Sequence, residues 1–302
     1  MHLSGPYHLP QFIDRWTAGL FQGAGVPAFD FSKPAGEPAL APASSVSWIV
    51  FKNPVSLFVG GVAAVIMEFA LPGVRSGVWD HSSFKTKPVE RLQRTGLAAM
   101  VTVYGAQAKA RDMIDHVTRL HNKISGVTEA GETYSASDVD LLNWVQATAI
   151  YGFTESYSRY VKHLDENCID RCFDEGLPAA RLYSATGAPS SRAEFHWLLA
   201  RLEPRMTASP ILFEFLDIIK DAPVLSPAFK PVQRLLVGAA VDIVPDRIRN
   251  ILGLDPSLGL KPWQDNIIRQ AGGLADRIVL AEAPPAQSCL RLGLPVDYLY
   301  RG

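Results

Sequence analysis

The chain has 302 residues, 48% of them hydrophobic, with a formal net charge of −1. That length can bury a sizeable core in one large domain, and near-neutral charge excludes a general nucleic-acid binder, which carries a basic excess. Three cysteines exclude a disulfide framework.

The opening "MHLSGPYHLPQFIDRW" has no basic stretch followed by an apolar run, so no signal peptide is expected and the location is read as cytoplasmic. Residues 23–46, "GAGVPAFDFSKPAGEPALAPASSV", are rich in Pro, Gly, Ala and Ser and read as a linker or a surface-hugging arm. Residues 1–46 are therefore assigned to an N-terminal arm and linker, and 47–302 to one helical domain. "SWIVF" (47–51) is β-rich but isolated. Residues 54–74, "PVSLFVGGVAAVIMEFALPGV", form the most apolar stretch, interrupted by Glu68 and closed by Pro72. Its uninterrupted part is too short to span a bilayer. It reads as a central buried helix, and peripheral membrane contact stays open as the alternative. Its paired glycines suit close helix packing better than phosphate binding.

"GVWDHSSF" (77–84) reads as a structural turn with a polar cluster. "PVERLQRTGLAAMVTVY" (88–104) reads as a helix, with Pro88 near its first position and Glu90 at the positive end of its dipole. The stretch 106–124 carries Met113, Ile114, Val117, Leu120 and Ile124 on one helical face, and Gly126 is expected to stop it. A helix from about Ser137 is capped by that serine or by Asp138. "GAPSSRAEF" (187–195) is a loop leading into a capped helix. Further helical patterns lie near 165–175, 191–203, 209–220, 227–240, 244–252 and 262–282. Nothing alternates long enough to demand a sheet, so the fold class is all-α.

Four features bear on chemistry. His121 lies four residues after Val117 and three before Ile124, on the apolar stripe, whereas His116 is turned about 100° away. A buried histidine either hydrogen-bonds an ordinary partner or offers a ring nitrogen to a metal. Arg91 and Thr95 are one turn apart with Arg94 nearby. A guanidinium does not lose its proton, so if buried it must face an anion or a strong acceptor; otherwise this is a solvated basic face with Thr95 bonded back to its own helix. Glu68, inside the apolar run, is either a base with a raised pKa or half of a salt bridge to an arginine. Cys168 and Cys172 are one turn apart, but no second ligand pair comes after them, so they read as small buried hydrophobes rather than a zinc site. Asp80 and His81, adjacent in sequence, do not face each other on a helix.

The run "GVRSGVWDHSSF…PVERLQRTGLAAMVTVYG…HVTRLHNKISGVTEAGETYSASDVDLLNWVQATAIYGF" resembles the haem-b oxygenase superfamily. That group includes the latex-clearing proteins (rubber oxygenases) and the fungal oxygenase that shortens a farnesyl chain in mycophenolic acid biosynthesis. The resemblance covers about residues 47–250 and is strongest from 73 to 153. It implies a single globin-like helical bundle, haem b as cofactor, dioxygen and a hydrophobic isoprenoid- or lipid-like small molecule as partners, and oxygenase activity, with a haem-binding sensor or carrier as the alternative. It implies that His121 is the proximal iron ligand, with His81 and His116 in reserve. It further implies that Arg91, Arg94 and Thr95 stand beside the haem, where Arg91 and Thr95 donate to a propionate or to dioxygen. Glu68 is the candidate base. This chain departs from the pattern at Arg94, where rubber oxygenases have a lysine able to cap the iron, and at Leu71 and Gln146, where many relatives have histidines.

Overall fold

The computed structural model describes Tyr7, His8 and residues 28–301. Among the described residues it is 65% helical, with thirteen α-helices and almost no strand. The expectation about a leader falls on residues outside the described ones, apart from the strand Tyr7–His8 (β1).

Helix α1, Val46–Val50, starts where the Ser45 hydroxyl accepts from the Trp48 amide. The β-branched "SWIVF" is thus helical, not strand-like. Trp48 is fully buried and its carbonyl accepts from the Tyr104 hydroxyl at 2.6 Å, so packing overrides local propensity. Helix α2, Pro54–Glu68, is capped by Asn53, whose side chain accepts from the amides of Val55 and Ser56. The apolar run does not continue to 74 as one helix. It breaks after Glu68 and turns by 113° into α3, Pro72–His81, with Pro72 at the first helical turn. Helix α3 also absorbs most of the expected polar turn, which is confined to the residues after His81. No described helix is long and apolar enough to cross a membrane, and the bent pair that matches by composition contains α2, which is largely buried.

Helix α4 spans Pro88–Tyr104 and α5 spans Gln107–His121. A small antiparallel ribbon comes after α5, with β2, Ser125–Val127, paired to β3, Thr133–Ser135. Gly126 therefore lies in a strand rather than stopping a helix, and an added methyl there would strike the Tyr134 ring. Helix α6, Val139–Tyr160, is capped by Asp138. Helices α7, Glu166–Leu182, α8, Arg192–Leu202, and α9, Pro210–Asp221, are capped by Asp165, Ser191 and Ser209. Helices α10, Lys230–Ile243, α11, Asp246–Leu252, α12, Pro262–Ala275, and α13, Pro284–Arg291, complete the set. The helix expected to run to 282 stops at Ala275, because Ile278–Val279 (β4) pairs in parallel with β1.

The centre of the molecule is the α2–α6 crossing. An added methyl on Gly152 would stand 2.5 Å from the Gly60 carbonyl oxygen, and one on Gly60 would stand 2.8 Å from that of Gly152. The two glycines permit backbone contact, as the "VGG" motif indicated. The Trp144 indole donates to the Met67 carbonyl at 3.0 Å and fixes the register of the crossing. Residues 28–45 lie against this core, with Phe31, Ala39 and Ala41 buried. Buried Arg291 on α13 holds them, donating to the carbonyls of Phe31 at 2.7 Å and Glu37 at 2.9 Å.

Candidate functional site

The α2–α6 crossing carries Glu68 to the last residue of α2, beside Thr148 of α6. Helix α4 presents Arg91 to the same place, and α5 ends there on His121. Three residues from three helices, separated by tens of residues in sequence, are thus joined electrostatically through Arg91, which lies within reach of both Glu68 and His121. Each keeps part of its surface open although it sits deep among protein atoms. Side chains that are both deep and open line an internal recess rather than the outer face.

Burial sets the charges in this recess. Desolvation pushes the Glu68 carboxyl up to about 7, and the nearby Arg91 charge and the Thr148 hydroxyl only partly offset it. No cation stands within ion-pair distance of Glu68 among the described residues, so the salt-bridge reading is not what the geometry holds. The C-terminal end of α5 would favour a protonated imidazole. Desolvation and the Arg91 charge outweigh it, and His121 is lowered from its ordinary value. Its ring is neutral at pH 7, and its nitrogens have no hydrogen-bond partner among the described residues. Arg91 is lowered by desolvation but stays a cation. Its Nη1 donates to the Thr95 hydroxyl, which itself donates to the Arg91 carbonyl at 3.0 Å. Both readings of Thr95 therefore meet in one side chain: it bonds back to its helix and also braces Arg91.

The two arginines separate. Arg94 is exposed and ion-paired to Glu90 one turn earlier, so its side chain does not join the cluster, although its charge reaches Arg91. Thr95 sits exposed at the rim. His81 and His116 are exposed and do not enter the recess. Leu120 is exposed as well, so the apolar face of α5 is narrower than its spacing indicates, while Ile114 on that face is buried. Leu71 is buried in the break before α3, and Gln146 is half-buried on the side of α6 turned toward Gly176 of α7. Thr148 is the member of the cluster that sequence reasoning missed. A threonine in an apolar helix carries no signal of its own, and only the α2–α6 crossing reveals its partner.

Cys172 is buried against the Ser47 hydroxyl at 3.6 Å, with its thiol pushed up to about 12 by burial. Among the described residues no group of three or more His, Cys, Asp or Glu side chains is arranged to hold a metal ion by itself. A single imidazole with open ring nitrogens suits a metal whose other ligands come from a cofactor. Gly96, next to Thr95, adds room, since a methyl there would meet nothing within 4 Å.

The site thus joins a neutral imidazole, a desolvated carboxyl and a braced guanidinium within an all-α protein. Residues 48–272 match the family described as ER-bound oxygenase mpaB/B'/Rubber oxygenase, catalytic domain, and the chain belongs to that family. No curated protein and no solved structure matches the chain.

Proposed function

We propose that the protein is a haem-b-dependent oxygenase that uses dioxygen to oxidise or cleave a hydrophobic, isoprenoid- or lipid-like small molecule. The observation that carries this reading is the convergence of Glu68, Arg91 and His121 on one recess within a fold of an oxygenase family. The donor chemistry fits the cofactor. His121 offers a neutral imidazole nitrogen to iron, and Arg91 and Thr95 offer polar groups to a propionate or to dioxygen. When bound, haem b supplies the one-electron and dioxygen chemistry that side chains lack.

The remaining roles belong to the chain itself. Arg91 keeps its charge whatever its surroundings, so its N–H groups stabilise negative charge developing on oxygen, and a low-polarity recess strengthens that effect. Thr95 holds the guanidinium in one orientation. Glu68, raised to about 7, is divided between acid and base forms near neutrality, and its carboxylate oxygen accepts a proton from a substrate carbon and returns it later.

The test is the visible spectrum of the purified protein and of three histidine variants. The wild type is expected to show a Soret band. His121→Ala is expected to lose most of it while keeping its helical circular dichroism, and His81→Ala and His116→Ala are expected to keep it. Full haem in His121→Ala, or none in the wild type, overturns the reading. Oxygen consumption with candidate olefins then separates turnover from storage.

A further inference from the structure

Helix α12 buries one side and carries large apolar side chains on the other. Ile268 and Gly272 are buried, and a methyl on Gly272 would stand 2.2 Å from the Tyr160 carbonyl oxygen, so the helix lies backbone against backbone on the end of α6. Trp263, Ile267 and Leu274 are 59%, 43% and 59% exposed. At 100° per residue, Ile267 and Leu274 lie about 40° and about 20° from Trp263, whereas Gly272 lies about 180° away. The three form one stripe about 16 Å long at 1.5 Å per residue. Neutral Gln270 lies within it and neutral Asn266 beside it. Single exposed apolar residues are ordinary, but three large ones in line on the solvent side of a packed helix mark a contact surface.

The charges that border the stripe share one sign. Lys261 is exposed at the N-cap of α12, and Arg277 is exposed one residue beyond its C-cap. Lys162 is exposed in the turn after α6, next to Val161, whose side chain meets Gly272. The acids of the neighbourhood are engaged elsewhere. Asp265 is shared by Arg159 at 3.1 Å and Arg269 at 2.6 Å, two cations on one carboxylate. Asp276, the C-cap of α12, pairs with Lys52. Asp242 of α10 accepts from the Leu260 amide at 3.0 Å, and Asp165 accepts from the Cys168 amide at 2.7 Å.

We infer that α12 docks along this stripe on an anionic lipid surface. Trp263, Ile267 and Leu274 enter the boundary between headgroups and acyl chains, and Lys261, Arg277 and Lys162 meet the anionic headgroups. Charge and shape select this occupant. A second copy of the chain would bring like charges face to face. A protein partner needs about 800 Å² from each side, and a ridge one helix wide and three side chains long is poorly suited to supply it. A bilayer accepts a convex apolar ridge with a cationic border, and an indole suits the interface itself. The inference is independent of the haem reading.

The test is co-sedimentation of the purified protein, as isolated, with phosphatidylcholine vesicles and with vesicles of equal parts phosphatidylcholine and phosphatidylserine. The wild type is expected to bind the anionic vesicles and not the neutral ones, and to bind less as salt rises. Lys261→Gln and Arg277→Gln are each expected to weaken partitioning by about fivefold, the worth of one basic side chain at such a surface. Trp263→Ser is expected to weaken it by about tenfold. The triple variant Trp263→Ser, Ile267→Ser, Leu274→Ser is expected to abolish it with an unchanged circular dichroism spectrum, since all three side chains are exposed. Tryptophan emission is expected to shift to the blue on anionic vesicles in the wild type and not in Trp263→Phe. Equal binding to both vesicles, no binding to either, or binding by the triple variant overturns the inference. So does a wild-type dimer in vesicle-free buffer that the triple variant dissolves, which would give the face to a second copy. So does a Trp263 emission already shielded from acrylamide in the free protein, which would give it to another part of the chain.

Discussion

The two ends of α2 hold buried charges that the protein treats in opposite ways. At the N-terminal end, Lys52 is almost fully buried, yet its ammonium is saturated. It pairs with the Asp276 carboxylate at 3.2 Å, donates to the carbonyls of Leu299 at 2.9 Å and Asp276 at 3.2 Å, and lies over the Tyr300 ring. Asp276 is held in turn by the Tyr157 hydroxyl at 3.2 Å and the Asn53 amide at 3.3 Å. At the C-terminal end, Glu68 has no paired cation, and its carboxyl floats up to about 7. A buried charge with every valence engaged fixes architecture. A buried charge left partly unsatisfied remains free to exchange a proton.

The sharpest way to break this comparison is Asp276→Ala. It leaves Lys52 buried without its counter-ion, and the expected loss is about 3–5 kcal/mol of stability, read by chemical denaturation. A loss below about 1 kcal/mol would mean that the Lys52 end is as loosely held as the other.

Glu68→Gln tests the opposite end, and the sign is opposite. The folded-state pKa of Glu68 lies above its unfolded value, so the folded state binds the extra proton. The stabilising contribution is complete below the unfolded value of 4.5 and is lost as pH rises through about 7. Glutamine mimics the neutral acid. The variant is therefore expected to gain up to about 3 kcal/mol relative to wild type at pH 8 and little at pH 4. Denaturation curves at the two pH values give the difference directly. In turnover, the wild-type rate is expected to rise with pH through about 7 and the variant to lose that limb.

The smallest expected effect concerns Arg91. Replacing it with Lys keeps the charge but removes the planar fork braced by Thr95. Haem retention in Arg91→Lys is expected to fall by about tenfold, the size of a charge-assisted hydrogen bond, with Arg91→Ala falling further. Equilibrium transfer of haem to an acceptor protein measures it. Wild-type retention in both variants would return Arg91 to a surface role.

Much of this architecture is written locally. Pro88 and Glu90 mark the start of α4, and Asp138 and Ser191 cap α6 and α8 as their side-chain chemistry requires. Gly60 is legible as a packing glycine because nothing else suits an apolar run. The failures share one cause: a distant partner. Residues 47–51 are helical because Trp48 docks on Tyr104, and α12 ends early because β4 pairs with a strand some 270 residues away. The same division holds at the site. Periodicity places His121 and aligns Arg91 with Thr95, but it cannot separate Arg91 from Arg94. That separation depends on which of them finds Glu90 and which is turned toward Glu68. Thr148 was illegible because its significance lies wholly in the Glu68 carboxyl that α2 brings beside it.

Arg291 has a consequence for how the molecule breathes. Its guanidinium joins carbonyls of Phe31 and Glu37, more than 250 positions away in the chain, to that of Tyr104, and the Gly36 amide returns a bond to the Arg291 carbonyl at 2.6 Å. Segments near one end of a chain ordinarily fray on their own and exchange their amide hydrogens early. Residues 28–45 are instead bolted to α13, and releasing them strands a buried cation without acceptors. Their amides are therefore coupled to the opening of α13 and of the α4 terminus together, a cooperative unit assembled from opposite ends of the sequence. Deuterium uptake at Gly36 would track that of Leu292 rather than that of its own neighbours in a peptide.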